Sequence, residues 1–481
     1  MRFFALILLA GAVTVFMRLP LQLAFQAIAF GDPGLELVAE HENILGRIPD
    51  RDFGWIYGLL PLLVGKLWYA VAGVSPESFF AVSLVCQATF LFGVAQVARV
   101  AQFGVLARTM LLVSCPFWLP RGGMTLVHEI EPVLLVWALA FQLAGQPRWA
   151  LCLTACCVFV KPSMAVVFST LLVGQILFLP TTIARSRTRE LLPAGCCVVG
   201  AAALLAWIFG ADALVASLYP AQAAEIYREN NFGFFRAGRS FWLPEPLEAR
   251  YYLTRSVAGT WLILTAWVTV AAALALASCK RFPSERRAAI VSLTAMHLAF
   301  IFLFFGNEHS YTYYFYLLVL AGGLARVGRW QPILLVITLW FLGLVIRQAA
   351  VARVHWAERH PDGVTFGLWA TNDVRTEWAE VLARTSSGKT AILSASEGVT
   401  LLTDHFGPPG LSFADVGWNT REQLDAKRND LRSAAFLVVP LEFQTRFHDR
   451  ERSPLREELR AFVPVWTGRH FGVFQQPSPR E

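Results

Sequence analysis

Apolar runs of about 18 or more residues recur along this 481-residue chain from its first residues to about residue 350. Runs of that length cross a bilayer as helices, because only a helix or a closed barrel satisfies its own backbone polar groups in hydrocarbon. The short alternating segments of a β-barrel are absent from the sequence. The residues are 56% hydrophobic and only 16% charged, against roughly 25% charged in soluble domains. The net charge of +7 comes from basic residues that flank apolar runs. There they set topology, so no nucleic-acid partner is expected. The eight cysteines lie in or beside apolar runs and lack metal-ligand spacing, so they read as small packing residues.

The N-terminal stretch MRFFALILLAGAVTVFM resembles a signal peptide, but no small-x-small cleavage site follows it. It is expected to remain as a first span over about 3–20. Further spans are expected at about 77–98, 109–120, 131–146, 149–161, 163–180, 191–209, 257–279, 288–305, 311–325 and 331–348. Trp55–Val74 is apolar but interrupted by Lys66 and thinned by glycine, which suits a helix lying at the interface. With that helix outside the bilayer, the basic clusters at Arg185/Arg187/Arg189, Lys280/Arg281/Arg286/Arg287 and Arg326/Arg329 all fall on one side. The positive-inside rule makes that side the cytoplasm. The expected fold is an all-α polytopic membrane protein of about eleven spans, N-terminus cytoplasmic, in the inner membrane. A transmembrane domain over 1–349 includes a first extracytoplasmic loop at about 21–76; a small extracytoplasmic α/β domain over 350–481 follows. In the latter, TAILSAS (390–396) and AAFLVVP (434–440) read as buried strands, and 372–385 and 418–432 as helices. FVPVWTGRHFGVFQQ (462–476) reads as a hairpin turning at Thr467-Gly468.

The first loop is acidic. Gly31–Pro61 carries Asp32, Glu36, Glu40, Glu42, Asp50 and Asp52. Asp32, Glu36 and Glu40 are spaced i, i+4, i+8, on one face of a helix ending at Gly46. By local sequence, Asp32 caps that helix ahead of Pro33, and Glu36 and Glu40 face water. Beside anionic lipid, however, surplus acid is unhelpful, which points instead to working carboxylates. Three other segments share the outer side. Arg121–Pro132 holds Arg121, His128, Glu129 and Glu131; Ala211–Arg255 interleaves aromatics with Arg228, Arg236 and Arg239; Gly306–Tyr311 holds Glu308, His309 and Tyr311. Lys161-Pro162 stands at the outer end of a span.

The run Gly46-Arg47-Ile48-Pro49-Asp50-Arg51-Asp52-Phe53, with Tyr57-Gly58 and Pro61 after it, resembles the GT-C class of membrane glycosyltransferases. This superfamily includes aminoarabinose transferases, protein mannosyltransferases and related mannosyltransferases. Asp32, Gly46, Asp52-Phe53 and Pro61 stand at matching places, as do Glu129/Glu131 before a span and Lys161-Pro162. Asp32-Pro33 replaces the frequent Asp-Glu pair, and Leu35 replaces the usual aromatic.

The resemblance implies inverting transfer of a sugar from a polyprenyl-phosphate donor to a glycan, lipid or protein acceptor on the outer face. A carboxylate, Asp32 or else Glu36 or Glu40, would serve as general base or metal ligand. Lys161, Arg121, Arg228, Arg236 and Arg239 would hold the donor phosphate. His128, Glu129, Glu131, Glu308, His309 and Tyr311 would line the acceptor side or cavity. Asp32, Glu129 and His128 would be the ligands of any Mg²⁺, Mn²⁺ or Zn²⁺. The rival readings are a transporter, an envelope-assembly scaffold and a lipid-linked polymer ligase. A transporter would place charges or broken helices at mid-membrane; here the charges gather at one face.

Overall fold

A computed structural model describes residues 32–118 apart from 54 and 56, then 126–161, 187–218, 372–392, 421–441 and 455–477, with isolated positions in 165–173 and 331–354. The spans expected at 3–20 and within 257–325 lie outside the described residues, as does nearly all of 163–180. Eight helices form the described N-terminal part: α1 (Asp32–Ile44), α2 (Leu59–Ala72), α3 (Pro76–Val100), α4 (Val105–Trp118), α5 (Leu126–Leu143), α6 (Pro147–Cys157), α7 (Arg187–Phe209) and α8 (Ala211–Leu218). Among the described residues, three stretches are long and apolar enough to cross a membrane: Ala81–Val100, Leu126–Leu143 and Arg189–Phe209. With 14 residues, α2 is about 21 Å long and falls short of the bilayer core. Its length suits the interfacial placement expected from Lys66 and the glycines.

The helices start and stop for local reasons. In α1, Gly46 adopts φ +82°, and Arg47 N–H bonds Glu42 O while Gly46 N–H bonds Asn43 O, each at 3.1 Å. That pair of bonds is a Schellman closure, with glycine in the left-handed position. Ser75 caps α3, its hydroxyl accepting from Ser78 N–H at 3.2 Å, with Pro76 opening the first turn. In packing, α3 lies on α5, α5 on α6, and α6 on α7. Gly93 permits the close approach of α3 to α5, since a side chain there would strike Val136. Beside it, Trp137 Nε1 donates to Thr89 O at 3.0 Å.

Two boundaries differ from the sequence expectation. His128, Glu129 and Glu131 were expected in a loop before a span, but α5 begins at Leu126 and contains them. Pro132 lies inside α5, in its second turn, where it removes one intrahelical hydrogen bond. Likewise α8 occupies Ala211–Leu218, where a loop was expected from residue 211 onward.

The start of α2 is tied across the bundle. Gly58 N–H donates to Val160 O at 3.0 Å and Leu60 N–H to Phe159 O at 2.9 Å. Amides that a helix start leaves unpaired are thereby satisfied by the chain just before Lys161. A Cβ on Gly58 would overlap the Phe159 carbonyl.

The C-terminal part forms a four-stranded sheet in the order β1-β2-β4-β3. Its strands are β1 (Thr390–Ile392), β2 (Phe436–Pro440), β3 (Val463–Thr467) and β4 (Phe471–Gln475). β1 and β2 are parallel, and β4 is antiparallel to both β2 and β3. Helices α9 (Asn372–Thr385), α10 (Arg421–Ser433) and α11 (Arg456–Arg460) cover it. The alternation of β2 serves two cores: Leu437 and Val439 pack with α10 and α11, while Phe436 and Val438 pack with Val374, Trp378 and Val381 of α9. The hairpin turn is clamped by Glu377, whose carboxylate accepts from the N–H groups of Arg469, His470 and Phe471 at 3.1, 2.8 and 2.7 Å.

Gly58→Ala should destabilise the folded protein by about 1–3 kcal/mol through overpacking, read as a lower melting temperature in detergent. Glu377→Ala should loosen the hairpin by about 1.5–3 kcal/mol, the worth of bonds to a charged acceptor. Faster amide hydrogen exchange in residues 463–475, with the helical part unchanged, is the check.

Candidate active site

The acidic helix turns inward. Glu36, Glu40 and Asn43 of α1 are each 0% exposed, and Glu42 is also buried. The local-sequence alternative in which Glu36 and Glu40 face water does not hold. Spaced four and three apart, these side chains lie on one helix face, and that face packs on α2, with α3 behind. Two features of α2 make room. Gly65 lets the Glu40 carboxyl lie against the helix backbone, where a Cβ would overlap it. Asn43 Nδ2 bridges the two helices, donating to Glu40 Oε2 at 3.0 Å and to Leu62 O at 2.9 Å. Glu42 pairs with Arg47 at the rim.

Burial governs the charge of this face. It pushes Glu36 from 4.5 up to about 8, opposed by the Leu126 amide at the start of α5. Glu40 is raised well above its usual value by burial first and then by the neighbouring Glu36, with Asn43 and Lys66 pulling the other way. In the turn that follows, Asp50 adopts φ +64° and is pushed up to about 7 by burial, against the pull of the Trp55 amide. Asp52 behaves oppositely: the Arg51 side chain holds it below the usual range. It accepts from Arg51 Nη2 at 2.9 Å and from Ile48 N–H at 2.7 Å. Asp52 thus locks the turn, a structural task.

The first turns of α5 meet this face. Glu129 Oε1 accepts from Ser83 Oγ at 2.9 Å and from Gln87 Nε2 at 3.3 Å, both on α3. The His128 ring stands edge-on to Tyr57 at 5.5 Å, and Tyr57 stands edge-on to Trp55 at 5.6 Å. Glu131 is buried and interacts electrostatically with Lys161, which also faces His128. Lys161 is half-buried beside the tied start of α2. Helix α1, the Tyr57 turn, α5 and Lys161 thus form one connected cluster of carboxyls, a cation and aromatic rings.

Several expected residues fall elsewhere. Asp32 opens α1, and its side chain lies outside the described residues. Arg121, Arg228, Arg236, Arg239, Glu308, His309 and Tyr311 also lie outside them. Among the described residues, no group of three His, Cys, Asp or Glu side chains is arranged to hold a metal ion. Sequence reasoning missed Ser83, Gln87 and Asn43. The signal for the first two was present: polar residues four apart in an apolar span. Nothing local distinguished Asn43 from a surface residue at a helix end.

No family model matches the chain, and no curated protein matches it. A solved structure does: the crystal structure of ArnT from Cupriavidus metallidurans bound to undecaprenyl phosphate. The likeness covers 99% of both chains at a TM-score of 0.52 and 14% identity. At that identity the likeness is one of architecture. The chain thus shares the fold of that protein over nearly its whole length.

Proposed function

We propose that this protein is an integral-membrane glycosyltransferase of the inner membrane. It moves a sugar from a polyprenyl-phosphate donor to an envelope glycan, lipid or protein on the extracytoplasmic face. One observation carries the reading: the fold of a protein that binds undecaprenyl phosphate surrounds a buried acidic helix whose inward face meets α2 and α3. A bundle that gains nothing from carboxyls would place lipid-like side chains there.

In this reading Asp32, at the N-terminus of α1, is the general base. An acceptor hydroxyl is a weak nucleophile, and a carboxylate within hydrogen-bond reach removes its proton as the new glycosidic bond forms. The old bond to the phosphate oxygen breaks on the opposite side of the sugar, so a single displacement inverts configuration. The bond electrons leave with polyprenyl phosphate, whose growing charge needs a cation. Lys161, which follows the two residues bonded to Gly58 and Leu60, is proposed for that task, with Arg121, Arg228, Arg236 and Arg239 to assist. His128, Glu129 and Glu131 shape the acceptor side, with Glu308, His309 and Tyr311 proposed beside them. The C-terminal sheet and its helices are proposed to stand on the same face and recognise the acceptor.

Asp32→Asn should lower transfer by about 10²–10⁴-fold with expression and melting temperature unchanged; near-normal turnover removes Asp32 from the role. Transfer that is lost on chelation and restored by Mg²⁺, Mn²⁺ or Zn²⁺ would instead make Asp32 a metal ligand. Lys161→Met should raise the KM for the donor about 10-fold or more, the worth of one charge-assisted bond. Mass spectrometry of the envelope of cells lacking this protein tests the whole reading. A missing sugar names the product, and an accumulated glycosyl lipid names the donor. An unchanged profile with altered solute uptake would point to a transporter.

A further inference from the structure

Resting on the glycosyltransferase reading, we infer that Ser83 and Gln87 are positioning residues for sugar transfer: from α3 they hold the Glu129 carboxyl in one direction at the acceptor side. Three hydrogen bonds close a small ring. Ser83 Oγ donates to Glu129 Oε1 at 2.9 Å, and Gln87 Nε2 reaches the same oxygen at 3.3 Å. Gln87 Nε2 also donates to Ser83 Oγ at 3.1 Å. The serine hydroxyl thus accepts from Gln87 and donates to Glu129, which fixes the direction of its proton. Spaced four apart, the two side chains lie on one face of α3. Ser83, Gln87 and Glu129 are all buried, and hydrogen bonds are electrostatically stronger away from water.

The distance from α3 to Glu129 is set by packing of the two helices. Further along the same seam, Trp137 Nε1 of α5 donates to Thr89 O of α3 at 3.0 Å. Gly93 lets Val136 come close, since a Cβ there would strike it. Beside Glu129 in sequence, the His128 ring stands edge-on to Tyr57. Cys86, next to Gln87 on α3, interacts electrostatically with both Glu129 and Glu36. Glu129 therefore stands between α3 and the acidic face of α1.

The arrangement is a poor choice for stability alone. Gln87 Oε1 is buried and has no hydrogen-bond partner among the described residues. An unpaired buried acceptor is destabilising, whereas apolar side chains of similar shape carry no such penalty. Leucine or methionine at 87 with an apolar residue at 129 would suit a bundle that needed only to pack. The amide spends its N–H group on Glu129 and leaves its own oxygen unpaired. That disposition makes sense where a carboxyl must keep a fixed direction, because small misplacements of reacting groups slow a reaction steeply.

The test uses cells lacking the protein, complemented with the full-length parent or a variant at matched protein levels. Mass spectrometry follows the rate at which the missing envelope sugar returns. Ser83→Ala and Gln87→Leu should each slow that return, by about 10–100-fold, and Ser83→Thr, which keeps the hydroxyl, should act like the parent. Ser83→Ala should add nothing further in a Glu129→Gln background, because the serine acts through that carboxyl. Purified Ser83→Ala should melt near the parent temperature and bind undecaprenyl phosphate as the parent does in native mass spectrometry.

Return of the sugar at the parent rate in Ser83→Ala and Gln87→Leu overturns the inference. So does a further, additive loss in the Glu129→Gln background. Loss of melting temperature and undecaprenyl phosphate binding in Ser83→Ala also overturns it, by making Ser83 a support of the whole bundle. Should Gln87→Leu fail to fold, the two Ser83 variants decide by themselves. If the parent restores no sugar, the glycosyltransferase reading falls and the inference with it; a sugar restored equally by parent and variants removes the inference alone.

Discussion

The burial of one acidic helix face is the constraint around which the described bundle is arranged. A carboxyl enters a protein interior only where the opposing surface lets it approach backbone or donors. Helix α2 provides that surface. Gly65 removes the side chain that would block Glu40, and the Leu62 carbonyl takes the second hydrogen of the Asn43 amide. With α1 seated, the Gly46 turn aims the chain into the Asp52-locked loop, and that loop delivers Tyr57 to the His128 ring. A different residue at position 65 would displace the whole sequence of contacts.

A second tie fixes where the cation stands. Helix α6 ends at Cys157, and the next carbonyls, of Phe159 and Val160, cap the start of α2. Lys161 follows directly on these two tied residues. The same economy appears at Glu129, which Ser83 and Gln87 hold from the neighbouring helix. Glu42 and Asp52 are paired with Arg47 and Arg51 of the turn that follows α1. That is the expected state of ionisable groups buried among apolar spans.

The C-terminal part follows different rules, with a clearer record in sequence. The all-buried run of β2 and the terminal hairpin were readable, because a central strand must be apolar on both faces and a tight turn favours glycine; the turn itself runs from Gly468 to His470, with Thr467 still in β3. The Glu377 clamp was not readable. It joins residues more than 90 positions apart, and no local pattern distinguishes it from a solvated glutamate on an amphipathic helix.

Sequence alone determined the class of solvent, the apolar helices, the acidic face of α1 and the glycine that ends it. Each depends on composition or on periodicity within a few turns, and such information is local. The tertiary structure decided which way the acidic face points, that His128 to Glu131 belong to a helix and not a loop, and that Lys161 stands beside them. Those outcomes depend on the fit between surfaces distant in sequence. A glycine on α2 and a pair of serine and glutamine side chains on α3 make burial of acid tolerable, and their meaning exists only once the helices have met.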